Sequence, residues 1–226
     1  MAKKKETQAQ AVNTNVSEAV SRTEQYIEKN KKSIITWTAI VIALVAAVLL
    51  LNTYYFQPRQ QKGLEALSKG ELLFQAGDFQ TAIDGDNNEY DGFDAIIKKY
   101  SGTKAANLAK AYAGLSNAQL GQYAEAIPYL KGFKGNDTMI APSVMAALGN
   151  CYAQQEDYAK AAATLLKAAK KADNNVLSAG WLVQAGQLFE KLGDKASALK
   201  AYQQVKDKYY QSIQASDIDK YIESVK

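Results

Sequence analysis

An all-α chain is predicted: a single N-terminal transmembrane helix followed by an α-solenoid of about four helix pairs and a C-terminal capping helix. Three observations predict it. Residues 34–51 carry no charge and are dominated by Ile, Leu and Val. Beyond residue 57, Gly70, Gly114, Gly149 and Gly186 are each followed twelve residues later by an alanine, Ala82, Ala126, Ala161 and Ala198. Near the C-terminus, Ile218, Tyr221, Ile222 and Val225 form the i, i+3, i+4, i+7 stripe of a helix with one apolar face, as a solenoid cap requires.

Composition removes much chemistry before any motif is read. The 226 residues hold 27 Lys+Arg against 23 Asp+Glu and no His. Without imidazole there is no His metal ligand, no Ser-His or Cys-His nucleophile pair and no His general base. The single cysteine, Cys151, forms neither an intramolecular disulfide nor a Cys-based zinc site, and it reads as a small core residue. Residues 1–33 hold seven basic against four acidic side chains, and the remainder is nearly balanced. That leaves no basic excess for a nucleic-acid backbone. Acid pairs such as Glu125 with Asp157 have no distinguishing spacing, and no Gly-rich phosphate loop or nucleophile elbow is present. No enzyme, cofactor or metal is expected.

The first element to justify is the anchor. Eleven of the 18 residues from Ile34 to Leu51 are Ile, Leu or Val, which favours insertion by about 3–7 kcal/mol. Extended to Phe56 the run is long enough as a helix to cross a bilayer core. Trp37 and Tyr54-Tyr55-Phe56 stand at its ends, where aromatic rings prefer the headgroup level. About 33 residues precede the run and no A-x-A-like site closes it, so a signal anchor is expected rather than a cleaved signal peptide. No Cys flanks it for lipoprotein anchoring. Lys29, Lys31 and Lys32, backed by Lys3-Lys4-Lys5, outweigh Arg59 and Lys62. The N-terminus is therefore expected in the cytoplasm and residues 57–226 across the membrane.

Three segments follow: 1–33 cytoplasmic, 34–56 transmembrane and 57–226 extracytoplasmic. In the first, residues 1–12 are polar and read as disordered. Asn15-Val16-Ser17-Glu18 reads as a helix start. Val16, Ala19, Val20, Thr23, Tyr26 and Ile27 then share one face of a short amphipathic helix. Such a helix suits a membrane surface, a partner or plain solvation. Gln57-Pro58-Arg59-Gln60-Gln61 reads as a brief linker.

The repeats are the main content of residues 57–226. The four glycines stand 44, 35 and 37 residues apart. Phe79, Tyr123 and Tyr158 precede three of the alanines, and Leu130, Leu165 and Tyr202 follow three of them by one turn. Two helices approach closely only where side chains are small, and larger ones fill the volume beside the crossing. This pattern resembles the tetratricopeptide repeat, a helix–turn–helix unit, over about 150 residues. The resemblance implies that each Gly lies in helix A where helix B crosses, with the Ala opposite. Departures are Lys195 in place of the fourth aromatic, the absence of the terminal Pro, and Phe133 and Val205 where Ala is usual, which implies locally wider packing.

The long first interval holds an insertion over 84–94. Asp84, Asp86 and Asn88 have the 1,3,5 spacing of a calcium loop, but Glu89 stands for the turn Gly and Ala95 for the bidentate Glu. An extended solvated loop is the stronger reading and calcium the lesser one. Phe93, Ile96 and Ile97 resume the helix, and Ser216-Asp217 can cap the last one.

The resemblance also implies a concave groove lined by helix A. Its positions here are Leu67, Glu71, Phe74 and Gln75, then Leu115 and Gln119, Asn150 and Gln154, and Gln187 and Lys191. Ala111, Ala118, Ala146, Ala153, Val183 and Glu190 stand among them. The Lys/Arg/Asn carboxylate clamp of the chaperone-tail members is absent except for Asn150. The amides suit an extended peptide backbone and equally a solvated helix face.

The layout as a whole, with Tyr26-Ile27-Glu28-Lys29-Asn30-Lys31-Lys32 before the anchor, is similar to a single-pass inner-membrane tetratricopeptide family of bacteria. Its members are ancillary subunits of the Sec translocon and cooperate with periplasmic chaperones. The resemblance implies an inner-membrane protein with a periplasmic repeat domain and protein partners, a channel or soluble periplasmic proteins. A scaffold for another envelope complex is the alternative. A cytoplasm-facing adaptor is disfavoured by the lysines.

Overall fold

The computed structural model describes residues 2–86 and 89–226, with side chains from Tyr26 onward except Ile27. Among the described residues every regular element is helical. The chain divides into two units, residues 1–57 and 58–226.

The first unit contains α1 (Ala2–Leu51) and a five-residue π-helix, Asn52–Phe56. Residues 13–15 lie inside α1, so the helix start expected at Asn15 and the disorder expected over 1–12 are both replaced by one helix from Ala2. The amphipathic face falls on side chains outside the described ones, except exposed Tyr26. An 18-residue window of mean hydropathy 2.8 is long and apolar enough to cross a membrane, and none of it is buried. Thr36 and Thr38 turn their hydroxyls back onto the carbonyls of Lys32 and Ile34, which keeps both polar groups satisfied along the helix.

The second unit is built of antiparallel pairs. They are α2 (Gln57–Ala76) with α3 (Phe79–Asp84) and α4 (Gly92–Lys99), then α5 (Lys104–Gln119) with α6 (Tyr123–Gly132). Next come α7 (Ile140–Gln154) with α8 (Tyr158–Ala172), and α9 (Ser178–Lys191) with α10 (Lys195–Lys208). A 3₁₀ turn, Ile213–Ser216, leads to the cap α11 (Ile218–Ser224). The expected linker is helical: Pro58 stands directly after the π-helix Asn52–Phe56, the kind of local adjustment that a proline within a helical run calls for.

Each turn within a pair is the same device. Gly77, Gly121 and Gly193 adopt φ of +80°, +75° and +74°, and Glu156 takes the equivalent place at +60°. The next amide then donates to a carbonyl five residues back, as Asp194 does to Phe189 at 2.9 Å. That is a Schellman closure. Asp78, Asp157 and Asp194 then cap the second helix by accepting from Thr81, Lys160 and Ser197 amides. Gln122 makes no side-chain cap. Nor does Asp217 at α11, whose carboxylate goes to Lys220.

The pairs meet as the spacing requires, with one refinement. A Cβ on Gly114 would lie 2.6 Å from Leu130 Cγ, and one on Gly186 would collide with the Tyr202 ring. On Gly149 it would lie 3.0 Å from Leu165 Cγ. The glycine thus faces the large residue four beyond each alanine, and the alanine is buried beside it. In the first pair that register position is Asp86, because α3 stops at Asp84. Tyr90 and Phe93 enter instead from beyond the insertion, a Cβ on Gly70 colliding with both rings. Tyr90 donates its hydroxyl to the Ala82 carbonyl at 2.8 Å, and burial pushes its pKa up. Gly85 and Gly92 (φ +93° and +86°) close the neck of the insertion, each with the other's backbone where a Cβ would stand.

Four packed clusters run along the unit, and the last joins Leu182, Tyr202 and Val205 to Ile218, Ile222 and Val225 of the cap. Phe133 falls outside α6, in extended backbone. It lines a hollow of about 230 Å³ with Leu130, Val144, Met145 and Leu148, where wider packing is expected.

Candidate functional site

The helix A positions divide by depth. Leu67 is only 2 % exposed and packs with Phe93 and Ile96 in the first core cluster, so it leaves the groove set. Ala111, Ala146 and Val183 are core residues as well. Glu71, Phe74 and Leu115 are half-buried, with Ala118 and Ala153 beside the groove. Gln75, Gln119, Asn150, Gln154, Gln187, Glu190 and Lys191 are exposed. Cys151, next to Asn150, is buried, which raises its thiol pKa.

The first pair supplies aromatic surface. Phe74 meets Phe79 and Tyr112 edge-on at 5.3 Å between centroids, and Tyr112 stacks on Phe93 at 5.6 Å. Burial raises the Tyr112 pKa, and the charge and hydrogen bond of Glu71 raise it further. Glu71 is therefore held in place at the groove wall.

The fourth pair supplies a cleft. Gln187, Glu190 and Lys191 of α9 face Asp217, Lys220, Tyr221 and Ser224 of α11 and its lead-in across about 640 Å³. Sequence reasoning reached Gln187, Glu190 and Lys191 and missed the α11 side. The signal was present, since Asp217, Lys220, Tyr221 and Ser224 repeat at helical spacing beside the apolar stripe of the cap. Glu190 accepts the Tyr202 hydroxyl; burial first, and then this carboxylate, raises the Tyr202 pKa. Lys191 Nζ stands 4.9 Å from the Tyr158 ring centroid, a cation–π contact that orients its charge. One amide, both signs of charge, a hydroxyl and the Tyr221 ring thus line the cleft.

The 84–94 segment spends its carboxylates locally. Asp84 accepts from Gln80 at 2.6 Å, and Asp86 accepts the Glu89 and Tyr90 amides at 2.9 Å. Asn88 lies outside the described residues. Among the described residues no group of three or more His, Cys, Asp or Glu is placed to hold a metal.

Stacked antiparallel helix pairs define a class, the α-solenoids. Residues 144–177 and 182–212 each match a model of the tetratricopeptide repeat, which accounts for nearly all of α7–α10. These residues are thus tetratricopeptide repeats, and such repeats indicate a protein–protein interaction module. No curated protein matches the chain.

Proposed function

We propose that the chain is a membrane-tethered interaction module in a bacterial envelope, with residues 34–56 crossing the inner membrane, 1–33 in the cytoplasm and 57–226 in the periplasm. The observation that carries this reading is the uncharged helical run of 34–51, whose side chains are all exposed, joined to a folded repeat unit. Lys29, Lys31 and Lys32 on its N-terminal flank outweigh Arg59 and Lys62 on the other, which supports a cytoplasmic N-terminus. The similarity in layout to the ancillary translocon family supports a place at the Sec translocon. There the repeat unit recruits soluble periplasmic proteins, including chaperones, through the helix A groove and the α9–α11 cleft.

At a membrane channel the anchor does more than tether. Ala39, Ala43, Ala46 and Ala47 give it small surfaces for close helix contact. Replacing residues 1–56 by an unrelated anchor of the same orientation is expected to abolish co-purification of the channel from mild detergent. Leu115→Glu with Gln119→Glu is expected to weaken capture of soluble partners and leave the channel bound. Recovery of the same channel at the same yield after the swap would overturn the translocon reading in favour of a scaffold for another envelope complex.

A further inference from the structure

The loops that join one helix pair to the next line up along a single edge of the repeat unit. Arg59 near the start of α2 donates to the Lys99 carbonyl at 2.7 Å, and the Lys104 amide donates to Gln60 Oε1 at 2.8 Å. One pair further on, the Lys134 amide donates to Asn107 Oδ1 at 2.9 Å and Asn107 Nδ2 donates to the Lys134 carbonyl at 2.7 Å. Lys171 Nζ then reaches the Gly135 carbonyl. Tyr209 donates to Asp173 Oδ1 at 2.8 Å. The edge is therefore continuous from the start of α2 to the end of α10.

Two kinds of side chain distinguish this edge. Each helix that ends on it carries lysine in its last turn: Lys98 and Lys99, Lys131, Lys170 and Lys171, Lys206 and Lys208. Large apolar side chains stand at its tips: Met139 and Ile140 at the start of α7, Val176 between α8 and α9, and Tyr210 and Ile213 after α10. Val176 is 80 % and Ile213 88 % exposed. The helix macrodipole accounts for lysines at C-termini but not for apolar tips in water. Several acids on the edge are engaged, and Lys99, Lys206 and Lys208 are spent on them, which leaves Lys98, Lys131, Lys134 and Lys170 without an acidic partner among the described residues. Asp137 accepts the Met139, Ile140 and Ala141 amides, Asp173 pairs with Lys208, and Asp219 with Lys206. The opposite edge has Asp78, Glu156, Asp157 and Asp194 in its turns beside Lys191 and Lys195, and its Leu120 and Leu192 are less exposed than Val176 and Ile213.

We propose that this edge is a membrane-contact surface, with its lysines on anionic lipid headgroups and its Val176, Ile213 and Met139 tips in the interfacial region. Lysine attracts anionic headgroups, and apolar tips enter the acyl boundary. A bilayer is the occupant because Pro58, where the chain enters the unit, lies on this same edge, two residues after the Tyr54-Tyr55-Phe56 aromatic end of the apolar run. The proposal rests on residues 34–56 crossing the membrane.

The test uses the full chain in nanodiscs, with Cys151→Ala and a fluorophore on Val176→Cys or, as the control on the opposite edge, on Leu192→Cys. Co-flotation with the discs reads the anchor separately. In phosphatidylglycerol discs holding a lipid-borne quencher, the Val176→Cys probe is expected to be quenched severalfold more than the Leu192→Cys probe. Lys134→Glu with Lys170→Glu, high salt or phosphatidylcholine discs are each expected to remove most of that difference. A chain that floats with its discs but shows equal quenching at the two sites overturns the membrane-contact surface alone and leaves the edge to a protein partner. Quenching at Val176→Cys that ignores lipid charge and salt also overturns it. A chain that does not float overturns the anchor, and the contact surface with it.

Discussion

Residues 34–51 and helices α5–α10 use apolar side chains in opposite ways. In the first, the side chains are mostly large, surround the helix and are all exposed, Ile42, Leu44 and Val48 among them. In the second they are mostly small and face inward, and Ala113, Ala126, Ala161, Ala168 and Ala198 are fully buried. An exposed Leu, Ile or Val forgoes about 1.5–3 kcal/mol relative to burial. The first region therefore needs another solvent, while the second makes its own interior. Periodicity, more than apolar content, separates them: a helix without a polar face has no water-facing side to keep.

Leu44→Lys with Val45→Lys should break the comparison most severely. Two lysines at the helix centre cost roughly 6–8 kcal/mol of insertion, enough to cancel what the run supplies. The expected outcome is loss from the carbonate-resistant membrane fraction with the repeat unit still folded; unchanged fractionation would show that the run is not the anchor. Within the repeat unit, Phe93→Ala should cost about 3–5 kcal/mol in denaturant unfolding, at least as much as the about 2–5 kcal/mol of Leu165→Ala. A cost under about 1 kcal/mol would mean that the insertion does not fill the first pair as argued.

Gly186→Ala and Gly149→Ala give a graded pair. The first should destabilise by about 1–3 kcal/mol, because Tyr202 is held by Glu190 and cannot yield, and the second by less. Equal melting shifts would argue against the helix-crossing geometry. Glu156→Gly should raise stability by up to about 1 kcal/mol, since the three equivalent turns already use glycine at positive φ.

Tyr129 sharpens the pH dependence of the repeat unit. Burial first, and its hydrogen bond to Asp94, push its pKa up to about 12 from the ordinary 10.0. A raised folded pKa means that this stabilisation is complete below pH 10 and is lost as pH rises toward about 12. Tyr129→Phe should flatten alkaline unfolding across that window, as followed by helix signal.

Much of the fold is legible in the sequence because close crossings demand small residues at fixed spacing, and α5–α10 follow the glycine–alanine register. The first pair is not, because the Gly85–Asp91 loop carries the filling residues out of register, so that Tyr90 and Phe93 act where position 86 would. The long α1 is missed because Asn15 and Ser17 look like a helix start although neither ends the helix before them. Of the groove, Gln75, Gln119, Asn150, Gln154, Gln187 and Lys191 are on the surface as spacing implies. Leu67 is not, since helical spacing gives a direction and not the depth at which Phe93 covers it. The α11 wall of the cleft depends on how the cap folds back beside α9, a tertiary fact.

The most direct test of a membrane-tethered, translocated repeat domain is the topology of the full chain. A reporter active only outside the cytoplasm is fused after Lys226, and a cysteine is introduced near residue 8 in a Cys151→Ala background. The account predicts an active reporter and labelling of the new cysteine by an impermeant thiol reagent only in opened cells. A silent reporter with labelling in intact cells would contradict it and place the repeats in the cytoplasm.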